Sequence, residues 1–409
     1  MYCVLALLLI HIAICNPSNT TDIKLNTTEN QLFKQYVDVK VKDSKGGLKA
    51  STELRSKLTQ APKVSTSFPS SISFKSVVDE LFNSISQVKS KEFLIRLTQF
   101  PERHYQTANG VAAANWIYNQ VKQLSVPSPT VNLTVRFFNH TDFRQPSVIA
   151  RLESTVPSNI SELVIIGTHF DTMTYVRGSE EWHKGGTGKL YKDGKGFNPG
   201  ADDCASGSSV VFESLRILIT NKFIPKRPIE FHWYAGEEDG LLGSKDVAED
   251  YAERKVQVKT YFNLDQTGYV EPGMTPVIGI MTDYVDDNAT TFLRMIAKTY
   301  SGYPSQRIVD TACGHACTDH ASWHAYGYPA VLPFESILDK SFPFNDHVEA
   351  DGSFLDTPDK INYDHLTAFL KTSIGFLVEL SLAPVSNTAS TNIPRFMFIA
   401  LNLITFWLL

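Results

Sequence analysis

Short apolar runs of strand length punctuate this 409-residue chain at 147–152, 163–167, 229–235, 261–264, 277–281 and 330–334. Between them, apolar positions recur at the three- and four-residue spacing of helices, at 208–220, 241–255, 289–300 and 319–325. A further helix is predicted from near Phe74, where Val77, Val78, Leu81 and Phe82 recur. A last one carries Leu366, Phe369, Leu370, Phe376, Leu377 and Leu380 on one face. Strand and helix in alternation predict an α/β fold. It is a single globular domain at 74–383 with a mixed, mainly parallel central sheet flanked by helices on both faces.

The two ends of the chain follow other patterns. An apolar run at 4–14 precedes Asn16-Pro17, so residues 1–15 read as a signal peptide. Residues 16–73 show no sustained period and read as a polar linker or pro-segment. After a polar spacer that begins at 384, an apolar tail at 396–409 falls short of a spanning helix. Small residues, spacer and tail together predict a GPI-anchor signal and no other membrane contact. Triplets for N-glycosylation begin at Asn19, Asn26, Asn132, Asn139, Asn159 and Asn288. The expected location is the extracellular surface or the secreted space. Composition, at 43% hydrophobic and 20% charged, is that of a globular chain, and a net charge of -5 argues against nucleic acid as a partner. Cys313 and Cys317 enclose a loop short enough to close as one disulfide in such a compartment, and no second pair stands near for a zinc site.

The chemistry sits where the apolar runs stop. His169 and Asp171 follow one run, Glu237 and Glu238 another, and Asp265 a third; Asp202 and Asp203 precede a helix, and His347 comes late. In open α/β sheets ligands gather beyond the carboxyl ends of the strands, so these segments converge on one edge. His169, Asp203 and Asp265 can serve one metal ion; Asp203, Glu238 and His347 can serve a second. Asp171 is placed to orient the His169 ring, and adjacent Glu237 is left to act as general base. Three ligand carboxylates contribute −3 and two zinc ions +4, so one hydroxide brings the centre close to neutral. Without cations the carboxylates would repel one another. Two Zn2+ suit the mixed nitrogen and oxygen set. His183, in a Gly/Lys-rich insertion at 176–198, reads as a surface residue, and His320 and His324 as structural.

These motifs resemble the dizinc aminopeptidase family that includes secreted bacterial leucyl aminopeptidases. The resemblance also takes in Leu97-Thr98-Gln99-Phe100, the stretch from Tyr234 to Ser244, Cys313 to Trp323, and Pro329 to Ser336, and covers about residues 75–382. It implies that Asp203 rather than Asp202 bridges the metals, that the Asp203–Cys204 peptide is cis, and that Cys313 and Cys317 are bonded. It implies further that the substrates are peptides with a free N-terminus and that Glu237 passes the water's proton to the leaving amine. Gln266, Met281, Leu332 and Phe334 fall at substrate-pocket positions, with Gln266 where relatives often carry Met. His315 stands where relatives can carry a Tyr, and is predicted to hydrogen-bond the tetrahedral intermediate. The function expected is hydrolysis of an N-terminal, leucine-like residue. The alternatives are a glutaminyl cyclase, a carboxypeptidase of the same superfamily, and a receptor-type ectodomain; the last predicts lost ligands or a lost Glu237, and none is lost.

Overall fold

How deeply each strand is buried follows from its composition and sets its place in the sheet. A computed structural model describes residues 67–126, 128–156, 160–172, 198–338 and 356–384. The expected signal peptide, His183, His347, Asn19, Asn26, Asn159 and the C-terminal tail lie outside the described residues, as do nearly all of the linker and insertion. Strand β1 (Val131–Phe138) alternates exposed and covered positions, as an edge strand does. β3 (Leu163–His169), Leu-Val-Ile-Ile-Gly-Thr-His, is buried at every position and lies inside the sheet. With β2 (Ser147–Ser154), β4 (Ile229–Tyr234), β5 (Val258–Asn263) and β8 (Ala330–Val331) they form a six-stranded sheet in the order β1-β2-β4-β3-β5-β8. β1, β2 and β4 pair antiparallel, whereas β4, β3, β5 and β8 run parallel.

Helices cover both faces, as expected. Helices α4 (Gly207–Thr220) and α8 (Tyr363–Leu382) lie over Val164, Ile166 and Phe262 of the aliphatic core, where Phe262 meets Phe376 at 4.7 Å between ring centroids. Helices α5 (Leu242–Glu253) and α7 (His320–Ala325) bring Tyr251 and Trp323 onto the opposite face. There Trp323 stacks on Tyr261 at 5.2 Å beside His232. Helices α1 (Lys75–Phe82), α2 (Gln87–Leu97), α3 (Ala108–Lys122) and α6 (Asp287–Tyr300) complete the layers.

The structure corrects four expectations. The run at 277–281 becomes β6 (Ile278–Met281), which belongs to a second, three-stranded sheet with β7 (Ile308–Thr311) and β9 (Pro333–Phe334). The run at 330–334 is not one strand but β8 and β9, divided at Leu332 between the two sheets. Pro333 has no N–H to offer the β5–β8 ladder, so the chain leaves the central sheet there. Helices α2 and α3 and strands β1 and β7 add to the predicted elements. Finally, ordered packing begins before residue 74: Phe68 packs near Phe292 at 6.0 Å, and the N–H groups of Ser73 and Phe74 donate to Glu379.

Candidate functional site

β4, β3 and β5 are neighbours, so their carboxyl ends lie side by side. β3 ends in His169, β4 is followed by Glu237 and Glu238, and β5 by Asp265. Asp203 arrives from a π-helical turn (Ala201–Ser206) that leads into α4 and contains a cis Asp203–Cys204 peptide, as the resemblance implies. His169 Nε2 lies 2.8 Å from Asp203 Oδ1 and 3.4 Å from Asp265 Oδ1. Neither contact has hydrogen-bond geometry: both His169 nitrogens and Asp265 Oδ1 are buried without a hydrogen-bond partner among the described residues.

Buried polar atoms are ordinarily satisfied. An imidazole nitrogen left bare between two carboxylates is the arrangement a cation completes, and the nitrogen and oxygen donors suit zinc. Cys204 also offers its sulfur within 4.8 Å of the His169 and Asp265 donors. That thiol is in contact with Thr168 Oγ1 at 3.1 Å, and burial pushes it up to about 12, so Asp203 remains the better donor. The electrostatics agree. Burial alone would lower His169, yet Asp265 and its other anionic neighbours raise it well above the usual histidine range. Burial raises Glu237 and Glu238 well above ordinary carboxylates; His169 opposes this in both, while Asp265 adds to Glu237 and Asp203 to Glu238.

Asp171 does more than its expected role. Its Oδ1 stands 3.5 Å from His169 Nδ1, while its hydrogen bonds come from the N–H groups of Glu237 (3.0 Å) and Glu238 (3.3 Å). One carboxylate therefore ties the β3 end to the turn that carries both glutamates. That turn is fixed from behind as well. Asp246 Oδ2 lies 2.7 Å from His140 Nδ1, and His140 Nε2 lies 2.8 Å from Ser147 Oγ. Ser147 Oγ also accepts the N–H of Ala235 at 3.1 Å. The relay joins α5, β2 and the residue two before Glu237.

A cavity of about 260 Å³ opens over these groups, lined by Asp203, Glu237, Glu238 and Asp265 on its polar floor. Gln266, His315, Leu332 and Phe334 form its walls with Leu338 and the Cys313–Cys317 disulfide, which is formed as the resemblance implies. Met281, expected at the pocket, is fully buried in the apolar cluster with Leu332 and Phe334 and stands behind that wall. Gln266, at φ +55°, donates its amide to Asp203 Oδ2 at 3.1 Å instead of only facing substrate. His315 is exposed on the rim, with Nδ1 3.0 Å from the Cys313 carbonyl. His320 is buried, as its structural reading requires, and held near 3 by burial.

Three buried charges were not singled out from sequence. Asp356 accepts the N–H groups of Asp202 (2.8 Å) and Asp203 (2.9 Å), while Asp319, pushed up to about 7 by burial, lies under the site. Arg103, wholly buried, bonds both the turn after His169, at the Phe170 carbonyl, and the turn before Asp203, at the Gly200 carbonyl. Each is a single charged residue in a loop or at a helix start, and no spacing sets it apart before the chain folds.

Known proteins show the family to which the chain belongs. The profile described as Peptidase family M28 matches residues 147–377. A leucine aminopeptidase 1 from Arthroderma otae is 34% identical over 325 residues, covering 77% of this chain and 79% of that protein. Among solved structures, LapB from Legionella pneumophila has a TM-score of 0.67 at 28% identity, covering 89% of this chain and 94% of LapB. The LapA aminopeptidase of the same organism has a TM-score of 0.64 at 27% identity, covering 77% of each chain. A glutaminyl cyclase from Bacteroides thetaiotaomicron shares the fold at 16% identity, with a TM-score of 0.54, over 72% of this chain and 97% of its own. The strand ends that carry His169, Glu237, Glu238 and Asp265 all fall within the matched span, and the chain belongs to peptidase family M28.

Proposed function

We propose that this hydrolase of peptide bonds is a two-zinc aminopeptidase that removes a leucine-like residue from the N-terminus of peptides. The observation that carries the reading is the pair of buried His169 nitrogens, without a hydrogen-bond partner among the described residues, beside Asp203 and Asp265, with Glu237 next to them in an open cleft. His169, Asp203 and Asp265 would hold one zinc; Asp203, Glu238 and His347, which lies outside the described residues, the other. Bound zinc supplies a lowered pKa for water and polarises a carbonyl.

The chain's own groups do the rest. Glu237 Oε takes the proton of the attacking water and gives it to the leaving amine. Asp171 orients the turn for that transfer by accepting the N–H groups of Glu237 and Glu238. Leu332, Phe334 and Leu338 offer an apolar wall, and a cavity near 260 Å³ is small for a ligand site, sized for one terminal residue rather than a length of chain. His315, on the rim, is assigned a hydrogen bond to the tetrahedral intermediate; unchanged kcat in His315→Ala rejects that role.

Zinc content measured beside hydrolysis of a panel of aminoacyl anilides tests the reading. Two zinc ions, fastest cleavage of leucyl anilide and loss of activity in Glu237→Ala are expected. A fully active Glu237→Ala overturns the mechanism, and cyclisation of N-terminal glutamine without hydrolysis favours the cyclase alternative. An extracellular location is part of the proposal; exposed Asn132, Asn139 and Asn288 and the disulfide support it. Retention of the mature protein on membranes after phosphatidylinositol-specific phospholipase treatment rejects the GPI anchor.

A further inference from the structure

We propose that Arg103 is the positioning residue that sets the distance between the His169 turn and the Asp203 turn, and through it the affinity of the site for metal. The inference rests on the metallopeptidase reading above. Arg103 is 0% exposed and its guanidinium faces main-chain carbonyls from two separate segments. Nε donates to the carbonyl of Phe170, the residue between His169 and Asp171, at 2.6 Å. Nη1 donates to Pro199 and Nη2 to Gly200 at 2.8 Å, just ahead of Asp202 and Asp203.

The backbone of Arg103 is pinned as firmly. Its N–H donates to Thr172 Oγ1 at 2.9 Å, and its carbonyl accepts from Gln145 Nε2 at 2.8 Å. The turn at 199–203 thus meets a cation on its carbonyl side and Asp356, which accepts from Asp202 and Asp203, on its N–H side. Opposite charges bracket the turn's dipoles and fix where Asp203 starts. Gly200, at φ +51°, makes room for this: a Cβ there would stand 2.6 Å from Arg103 Nη2.

Only arginine fits such a place. Its planar fork aims several donors in fixed directions, whereas lysine is a flexible point charge that reaches one or two acceptors. Burying a guanidinium is costly; burial pulls this one down to about 10, against the nearby carboxylates of Asp356 and Asp171, and it is still charged at neutral pH. Groups that orient ligands from behind change metal affinity roughly 10- to 100-fold when altered.

Zinc dissociation constants measured by competition with a chromophoric chelator, together with visible spectra of the cobalt-substituted protein, test the proposal on the full chain. For Arg103→Lys the expectation is zinc binding weakened about tenfold or more, a shifted cobalt band, and a folded apo-protein by circular dichroism. A merely structural arginine would lower the apo-protein's Tm and leave affinity and spectrum as in wild type; that outcome overturns the inference. If Arg103→Lys does not fold, Thr172→Val, which removes the acceptor of the Arg103 N–H, is read in the same way. Weakened zinc binding there supports the inference, and wild-type affinity overturns it. A wild-type chain that binds no zinc sinks the metallopeptidase reading and this inference together; wild-type binding of two zincs with equal binding by the variants sinks the inference alone.

Discussion

Gly243 stands one residue into α5, and replacing it by alanine sets two effects against each other. Alanine is the better helix former by about 1 kcal/mol, which would stabilise the protein. A Cβ at this position, however, would lie 2.2 Å from the Ala235 carbonyl oxygen and 3.0 Å from Ser147 Oγ. Carbon–oxygen contacts settle at about 3.3 Å or more, so helix and turn must part by roughly 1 Å. The separation strains two short bonds that close the turn, Leu242 N–H to Gly236 and Gly243 N–H to Ala235, both 2.9 Å. Overpacking of this kind costs about 1–3 kcal/mol, more than the helix gain. Ala235 precedes Glu237 by two residues, and a 1 Å displacement of a catalytic group lowers the rate about 100-fold. Gly243→Ala is therefore expected to lose kcat by about two orders of magnitude and to unfold a few degrees lower. Scanning calorimetry and steady-state hydrolysis of leucyl anilide, with zinc content checked alongside, measure both. A variant with raised Tm and undiminished kcat refutes the argument, because helix propensity would then have won.

Gln266→Met removes the amide that donates to Asp203 Oδ2 and leaves the cavity wall wholly apolar; the ratio of kcat/KM for leucyl over seryl anilide should rise about tenfold, and an unchanged ratio rejects a specificity role. Burial lowers His365 to about 4, with Tyr303 Oη and the Glu335 carbonyl as its partners. The unfolded chain then binds the proton first, so this contribution is full above about pH 6.5 and is lost as pH falls toward 4, on the order of 3 kcal/mol in all. Denaturant midpoints between pH 7 and 4 should fall in wild type and fall less in His365→Gln; parallel curves count against the assignment. Ser147→Ala strands the Ala235 N–H and breaks the link to His140, so a loss of about 2–4 kcal/mol in urea unfolding is expected; a loss below 0.5 kcal/mol would show that the relay contributes little.

The site residues at strand ends are legible in the sequence because each closes or follows an apolar run, and a parallel sheet brings such ends together whatever the loops do; Asp203 is legible only by its place ahead of a helix. His169, Glu237 and Asp265 needed nothing more. Helices α2 and α3 carried readable signals in the caps at Ser86 and Thr107, whose side chains accept from Lys89 and Gly110, but their many polar residues blur the apolar stripe. The division of 330–334 between two sheets depends on where β6 lies, a long-range fact that a five-residue run cannot hold. Asp356 and Arg103 are hidden for the same reason. Their burial is conferred by segments more than 60 residues away, so each looks like an ordinary loop charge until those segments close.

The Ser147–His140–Asp246 relay has a consequence for how such proteins are surveyed. Its spacings, 2.8 and 2.7 Å, are those of a serine nucleophile with its base and orienting acid. Yet Ser147 is 0% exposed, and an amide N–H already occupies its oxygen. A fluorophosphonate probe should leave it unlabelled while the intact enzyme turns over peptides. A search by interatomic distance alone would file this chain among the serine hydrolases. What separates a reacting trio from a hinge pin here is a path for solvent, and the cleft above Glu237 has one.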